Sequence, residues 1–167
     1  MSSSPSPTFR KAYEAINEEF KNSFDSLRGR AIQFKEKLDL VSNKLDGFFR
    51  SKCGDYIGWL ESNTVNTNGT PVLKDKSKSA EFESTIKNLQ NCVEHNDNGY
   101  TQVLINIDNS MHEISERANA GFQQCSNLSQ EGEIKDCLRK ILKENLGEVD
   151  QFYNNFQDKL EEVNRKL

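Results

Sequence analysis

The sequence predicts an all-α protein: an elongated antiparallel bundle of three to four long amphipathic helices, stapled by disulfides. Three observations carry that prediction. Apolar residues recur at helical spacing over most of the 167 residues. Proline, the strongest helix breaker, occurs only at positions 5, 7 and 71, so 8–70 and 72–167 run clear. Four cysteines stand close to the predicted turns. On this reading residues 1–7 are a flexible Ser/Pro arm and 8–167 form a single helical domain.

The first helix is expected over about 8–61, with Thr8 offering a cap. Tyr13, Phe20, Leu27, Phe34, Val41 and Phe48 recur every seven residues. Ile16, Phe24, Ala31, Leu38 and Leu45 form the companion row, which makes an a/d seam over about five heptads. The stripe continues less cleanly through Tyr56 and Leu60, with a bend expected at Gly54 and Gly58. Residues 63–76, NTVNTNGTPVLKDK, are dense in Asn, Thr, Gly and Pro and read as an exposed loop. A second helix follows at about 78–95, with Phe82, Ile86, Leu89 and Val93 on one face. Asn96, Asp97, Asn98 and Gly99 break the chain. The third, at about 100–127, carries Leu104, Ile107, Met111, Ile114, Ala118, Phe122 and Cys125. The fourth, at about 133–166, carries Ile134, Leu138, Leu142, Val149, Phe152, Phe156, Leu160 and Val163. No strand period competes, so no sheet is expected. Each stripe needs the others for burial, which gives the up-and-down bundle.

Composition narrows the function classes. Only 34% of residues are hydrophobic, too few for a two-faced sheet, yet ten Phe and four Tyr at regular spacing argue against disorder. The 22 basic and 26 acidic residues are intermixed and net to −4, which gives no footprint for nucleic acid. No run approaches the ~20 apolar residues of a membrane span. The start, MSSSPSPTF, lacks the basic and apolar regions of a signal peptide. Two habitats fit: the cytoplasm, or the extracellular space for a mature secreted chain whose Met1 is not native.

The cysteines bear on that choice. Cys125 and Cys137 each lie six residues from Glu131, inside the predicted turn between the third and fourth helices. Positions equidistant from a hairpin turn lie opposite each other, so a bridge there is geometrically natural. Cys53 and Cys92 could clasp the first hairpin, with a poorer match about their loop. Four cysteines permit three pairings, and all three stay open. The alternative is a small core cysteine at 125 in a reduced protein. Two sequons in predicted loops, Asn68-Gly69-Thr70 and Asn127-Leu128-Ser129, favour secretion and make Asn68 and Asn127 glycosylation candidates.

No catalytic set emerges. His95 and His112 lie outside any HExxH or CxxC pattern, so neither a metal site nor a catalytic site is assigned. P-loop and dinucleotide fingerprints are missing, and no cofactor is expected. Glu94 to Gly99 superficially resembles a calcium loop, but it starts with Glu and its twelfth position is Ile105 where a Glu is required. Two binding features remain. Tyr56 and Trp59, in a stretch that also holds Gly54 and Gly58, are candidate interface anchors beside the 63–76 loop. The Phe-rich interior could part around an apolar ligand.

The organisation over 8–167 resembles the small, secreted, all-helical four-cysteine proteins of insects. The features shared are the long charged helices, Cys53, Cys92, Cys125 and Cys137, and the terminal CLRKILKENLGEVDQFYNNF. The nearest groups are the helical region of mosquito salivary aegyptin and anopheline antiplatelet proteins and, less closely, the tsetse EP family. The chain lacks the Gly/Glu-rich repeats of the aegyptin group, so collagen binding is not carried over. The resemblance implies a non-enzymatic protein of saliva or gut. It would bind a host protein or cell-surface receptor on platelets, leukocytes or matrix and alter haemostasis or immune cells. The rival classes are a cytosolic helical scaffold whose seam pairs with a partner helix and a carrier of lipid or another apolar ligand. The sequence does not set the oligomeric state.

Overall fold

A computed structural model of the protein describes residues 4–167. Among them are six α-helices: α1 Pro7–Glu19, α2 Lys21–Lys52, α3 Gly54–Asn63, α4 Ser79–Asn96, α5 Tyr100–Ser126 and α6 Glu131–Arg165. Between α3 and α4 lie β1 Thr64–Thr67, β2 Thr70–Leu73 and a 3-10 turn, Lys76–Lys78. The all-α class holds, and both disulfides are present; the count of three to four helices does not hold.

The N-terminal arm was expected to reach residue 7. Residues 1–3 lie outside the described residues, and Ser4 to Ser6 are exposed and non-helical. Pro7 already belongs to α1, where its fixed φ suits a first helical position. Ser6 is the cap, its Oγ accepting from the Phe9 N–H at 3.2 Å.

The expected single helix over 8–61 is three helices. At Phe20 the backbone relaxes to φ −96°, ψ 5°. Hydrogen bonding still passes this point: the Phe20 N–H donates to Ile16 and the Phe24 N–H to Phe20, each at 3.0 Å. The second break is at Cys53, φ −116° and ψ 18°, immediately before Gly54. Cys53 is buried and bonded to Cys92 of α4, so the helix bends where the bridge anchors it. Gly58 lies inside α3.

The 63–76 stretch is a correction to the sequence reading, which expected a loop. It holds an antiparallel hairpin with Thr64 opposite Leu73 and Thr67 opposite Thr70. Asn68 (φ 51°) and Gly69 (φ 84°) make the two-residue link. Positive φ at both central positions is the I′ turn, whose twist matches that of the strands. The Lys74 N–H donates to the Asn63 carbonyl at 3.0 Å and continues the ladder. Hydrogen-bonded pairs alternate from the turn outward. Pro71, opposite Asn66, therefore occupies a non-bonded pair, where no ladder N–H is required of it.

The chain divides into two compact units. One takes the chain up to Lys37 with Gln102–Leu160; the other takes Leu38–Thr101 with Glu161–Leu167. In the first, Ala12, Ile16, Phe20, Cys125, Ile134, Leu138 and Leu142 form a buried core, flanked by Phe9, Phe24, Phe122, Ile141 and Leu146. The Cys125–Cys137 bridge, with Cα atoms 5.6 Å apart, is part of it. Further along, Phe34 meets Phe152 and Tyr153 at 5.8 and 5.3 Å between ring centroids. In the second unit α3 packs against α4, locked by Cys53–Cys92 with Cα atoms 6.0 Å apart. Val41, Leu45, Cys53, Tyr100 and Val163 are its buried apolar residues.

The predicted seam lies on the helix faces that the structure covers, but the cover is partial. Ile16, Phe20, Val41 and Leu45 are buried, whereas Phe24, Leu27, Ala31, Phe34, Leu38 and Phe48 are half-buried. Tyr13 is exposed.

Candidate functional site

The end of α3 and the hairpin after it enclose one surface cleft. Ile57, Leu60 and Glu61 share one face of α3 by their three- and four-residue spacing. With Leu89 of α4 and Thr64, Asn66, Gly69 and Pro71 of the hairpin they line a cleft of about 380 Å³. Strand alternation places Thr64, Asn66 and Pro71 on the cleft side. Val65 and Val72, directly paired, therefore stand on the other face, and both are about half exposed, at 52% and 50%. Polar contacts join helix to hairpin. Thr64 Oγ1 donates to the Leu60 carbonyl at 2.6 Å, and Asn63 Nδ2 donates to the Trp59 carbonyl at 2.8 Å. Lys78 Nζ donates to Asn63 Oδ1 at 3.0 Å. Asp75 accepts from the Ser77 N–H at 3.0 Å and from its hydroxyl at 2.7 Å, and these bonds hold its carboxyl below the ordinary range.

Tyr56 and Trp59 belong to α3 but not to this cleft. At 100° per residue Trp59 is turned away from the Ile57–Leu60–Glu61 face, while Tyr56 lies at its edge, one turn before Leu60; both are half-buried. The structure gathers Ile57, Leu60 and Leu89 at the hairpin instead. For Ile57 and Leu60, helical spacing was the signal available in the sequence.

The first unit carries the second feature, a groove of about 360 Å³ between α5 and α6. Met111, Ile114, Ala118, Val149, Phe152 and Tyr153 give it an apolar floor, with Ser115, Asn119 and Asn145 as polar edges. The apolar-ligand space expected of the sequence was in the Phe-rich interior; this groove opens at the surface, where Met111 is 54% exposed. Arg30 flanks it, its guanidinium 5.5 Å from the Tyr153 ring and paired with Asp150 and Asn154.

Both sequon asparagines are exposed. Asn68 stands at the hairpin tip, and Asn127 in the turn between α5 and α6, two residues after Cys125. His95 and His112 are exposed, and His112 Nε2 lies 3.0 Å from Glu116. Among the described residues no group of three or more His, Cys, Asp or Glu is placed to hold a metal ion. No polar or charged residue among them is buried. A bidentate charge pair lies at the surface, where Arg139 Nε and Nη2 donate to the two carboxylate oxygens of Glu19, each at 3.0 Å. No helix of the described residues is long and apolar enough to cross a membrane.

Fold and site together define a disulfide-bonded helical protein that carries a β-hairpin at one helix end. Comparison with known protein families, curated proteins and solved structures finds no match for the chain.

Proposed function

We propose that the protein is a secreted, non-enzymatic binding module that engages a host protein or cell-surface receptor through its hairpin end. The observation that carries the reading is the pair of disulfides, each closing a pair of helices. Such bridges persist in oxidising compartments and are rare in the cytosol. The exposed Val65–Val72 pair supplies apolar contact on the outer face, and the polar 66–70 segment supplies adaptable hydrogen bonding. The resemblance to insect salivary and gut four-cysteine proteins points to a platelet, leukocyte or matrix partner, with effects on haemostasis or immune cells.

Val65→Ser with Val72→Ser, and separately Trp59→Ala, test the surface against those three host components, with circular dichroism as the folding control. The reading predicts that the valine pair weakens binding and that Trp59→Ala, on α3 and not on the hairpin's outer face, weakens it less. A folded double variant that binds as the parent does moves the contact elsewhere. A second reading, a carrier of an apolar ligand, is favoured by the groove at Met111, Ile114 and Phe152. Stoichiometric lipid in an organic extract, with no host binding by the parent chain, would select it.

A further inference from the structure

The sequence contains two Asn-Gly dipeptides, Asn68-Gly69 and Asn98-Gly99, and both adopt positive φ at both residues (51° and 84°; 56° and 82°). Sequence chemistry alone makes them equivalent. In each, the glycine nitrogen can attack the asparagine side-chain carbon, expel ammonia and form a cyclic imide. Water then opens the imide at either carbonyl. Opening at the side-chain carbon leaves aspartate; opening at the main-chain carbon leaves isoaspartate, with the backbone rerouted through the side chain. The balance is one water in and one ammonia out, with a neutral amide replaced by a carboxylate. No oxidant or cofactor takes part.

The surroundings separate the two. In a left-handed backbone with ψ near its usual +30 to +60°, the following nitrogen lies on the far side of the Cα–C bond from Cβ. The ring closes only after the turn has opened, so the free energy of opening sets the rate. Asn98 is half-buried, and its Nδ2 donates to the Asn96 carbonyl at 3.0 Å. The Gly99 nitrogen, the would-be nucleophile, donates to Asp97 Oδ1 at 2.9 Å. Asp97 Oδ2 accepts from the Thr101 N–H at 3.3 Å, and buried Tyr100 follows at the start of α5. Opening there breaks the start of a helix. Asn68 is exposed at the tip of a hairpin with four residues in each strand, and neither its side chain nor the Gly69 nitrogen has such a partner. A hairpin of two short strands opens at small cost.

We infer that Asn68 is a site of spontaneous deamidation in the folded protein and that Asn98, with the same dipeptide, is protected. Conversion at Asn68 places a new negative charge on the hairpin tip and abolishes the Asn68-Gly69-Thr70 sequon. The isoaspartate product adds a backbone atom to a two-residue turn and unseats the strand register beyond it. The inference stands whether or not the hairpin binds a host partner.

The test is timed incubation of folded protein at mildly alkaline pH and body temperature. Peptide mapping with fragmentation that distinguishes aspartate from isoaspartate follows each site. Two hydrogen bonds to be broken at about 0.5–1.5 kcal/mol each predict a rate at Asn68 roughly five- to 150-fold above that at Asn98. In denatured protein the two rates should converge. Asp97→Ala should accelerate Asn98 and leave Asn68 unchanged. Equal rates in the folded chain, or faster conversion at Asn98, would overturn the inference. If Asp97→Ala does not fold, the folded-to-denatured rate ratios of the two sites in the parent chain decide alone.

Discussion

Gly121 of α5 marks a point of very close approach. A Cβ built there would stand 2.5 Å from Ile141 Cδ1 and 3.0 Å from both Ile141 Cγ1 and Cγ2. Because three atoms of the isoleucine crowd the position, rotating its tip does not clear the space. Gly121→Ala is expected to destabilise by about 1–3 kcal/mol through overpacking, partly offset by about 1 kcal/mol of helix propensity. Adding Ile141→Ala should recover part of that loss, which thermal unfolding of the two single variants and the double variant would show as non-additivity. Phe34 is a milder case. Its ring is half-buried against Phe152 and Tyr153, so Phe34→Ala should cost about 2 kcal/mol, below the 3–5 kcal/mol of a fully buried Phe. Glu19 contributes a pH dependence. The hydrogen bonds from Arg139 lower its pKa, opposed by desolvation and reinforced by the charges of Arg139, Lys143 and Lys135. A carboxyl whose folded pKa is depressed adds stability above its unfolded value and loses it as pH falls through the folded one. The loss therefore belongs below pH 4.5, and Glu19→Gln should flatten that part of a stability-against-pH curve.

At the scale of elements, the hairpin depends on its turn. Gly69 has φ 84°, a conformation that L side chains rarely adopt, so Gly69→Val should unseat the strands. Helical circular dichroism should remain, because α3 and α4 are held by their own packing and by Cys53–Cys92. Amide exchange at Val65 and Val72 should rise; unchanged protection there would mean that the turn does not hold the strands. The hairpin was legible in the residues. Asn-Gly between Thr64-Val65 and Val72-Leu73 is a strong hairpin signal, hidden by the density of Asn, Thr and Pro that also describes a loop. Of the two breaks in the first predicted helix, the one beside Gly54 was expected from its glycine and the one at Phe20 was not legible. No proline or glycine occupies position 20, and Cys53 bends the chain through a bond to a residue 39 positions away. The ends of α4, α5 and α6 fell within two residues of expectation, since Asn98-Gly99 and the 127–130 turn punctuate the sequence clearly.

For the whole molecule, the apolar stripes made the helical class readable, while the sites were readable only in part. The cleft under the hairpin takes residues from α3, α4 and both strands. Sequence ties Ile57 to Leu60 by spacing, but Leu89 and Pro71 join them only through the fold. Tyr56 and Trp59 stood out as residue types, and neither lines this cleft. The cysteines were the clearest long-range signal, because symmetry about a turn is a property of sequence position. In the chain-entropy picture the bridge across 12 residues contributes about 3 kcal/mol and the one across 39 about 4 kcal/mol. Reduction should accordingly lower the unfolding midpoint markedly while the helices persist at low temperature. The most direct measurement is intact mass with alkylation, before and after reduction, on protein from an oxidising route, followed by a non-reducing peptide map. The prediction is no alkylation before reduction, four labels after it, and linked peptides carrying Cys53 with Cys92 and Cys125 with Cys137. Free thiols in the unreduced protein, or peptides crossed between the two pairs, would contradict it and return the chain to the cytosolic alternative.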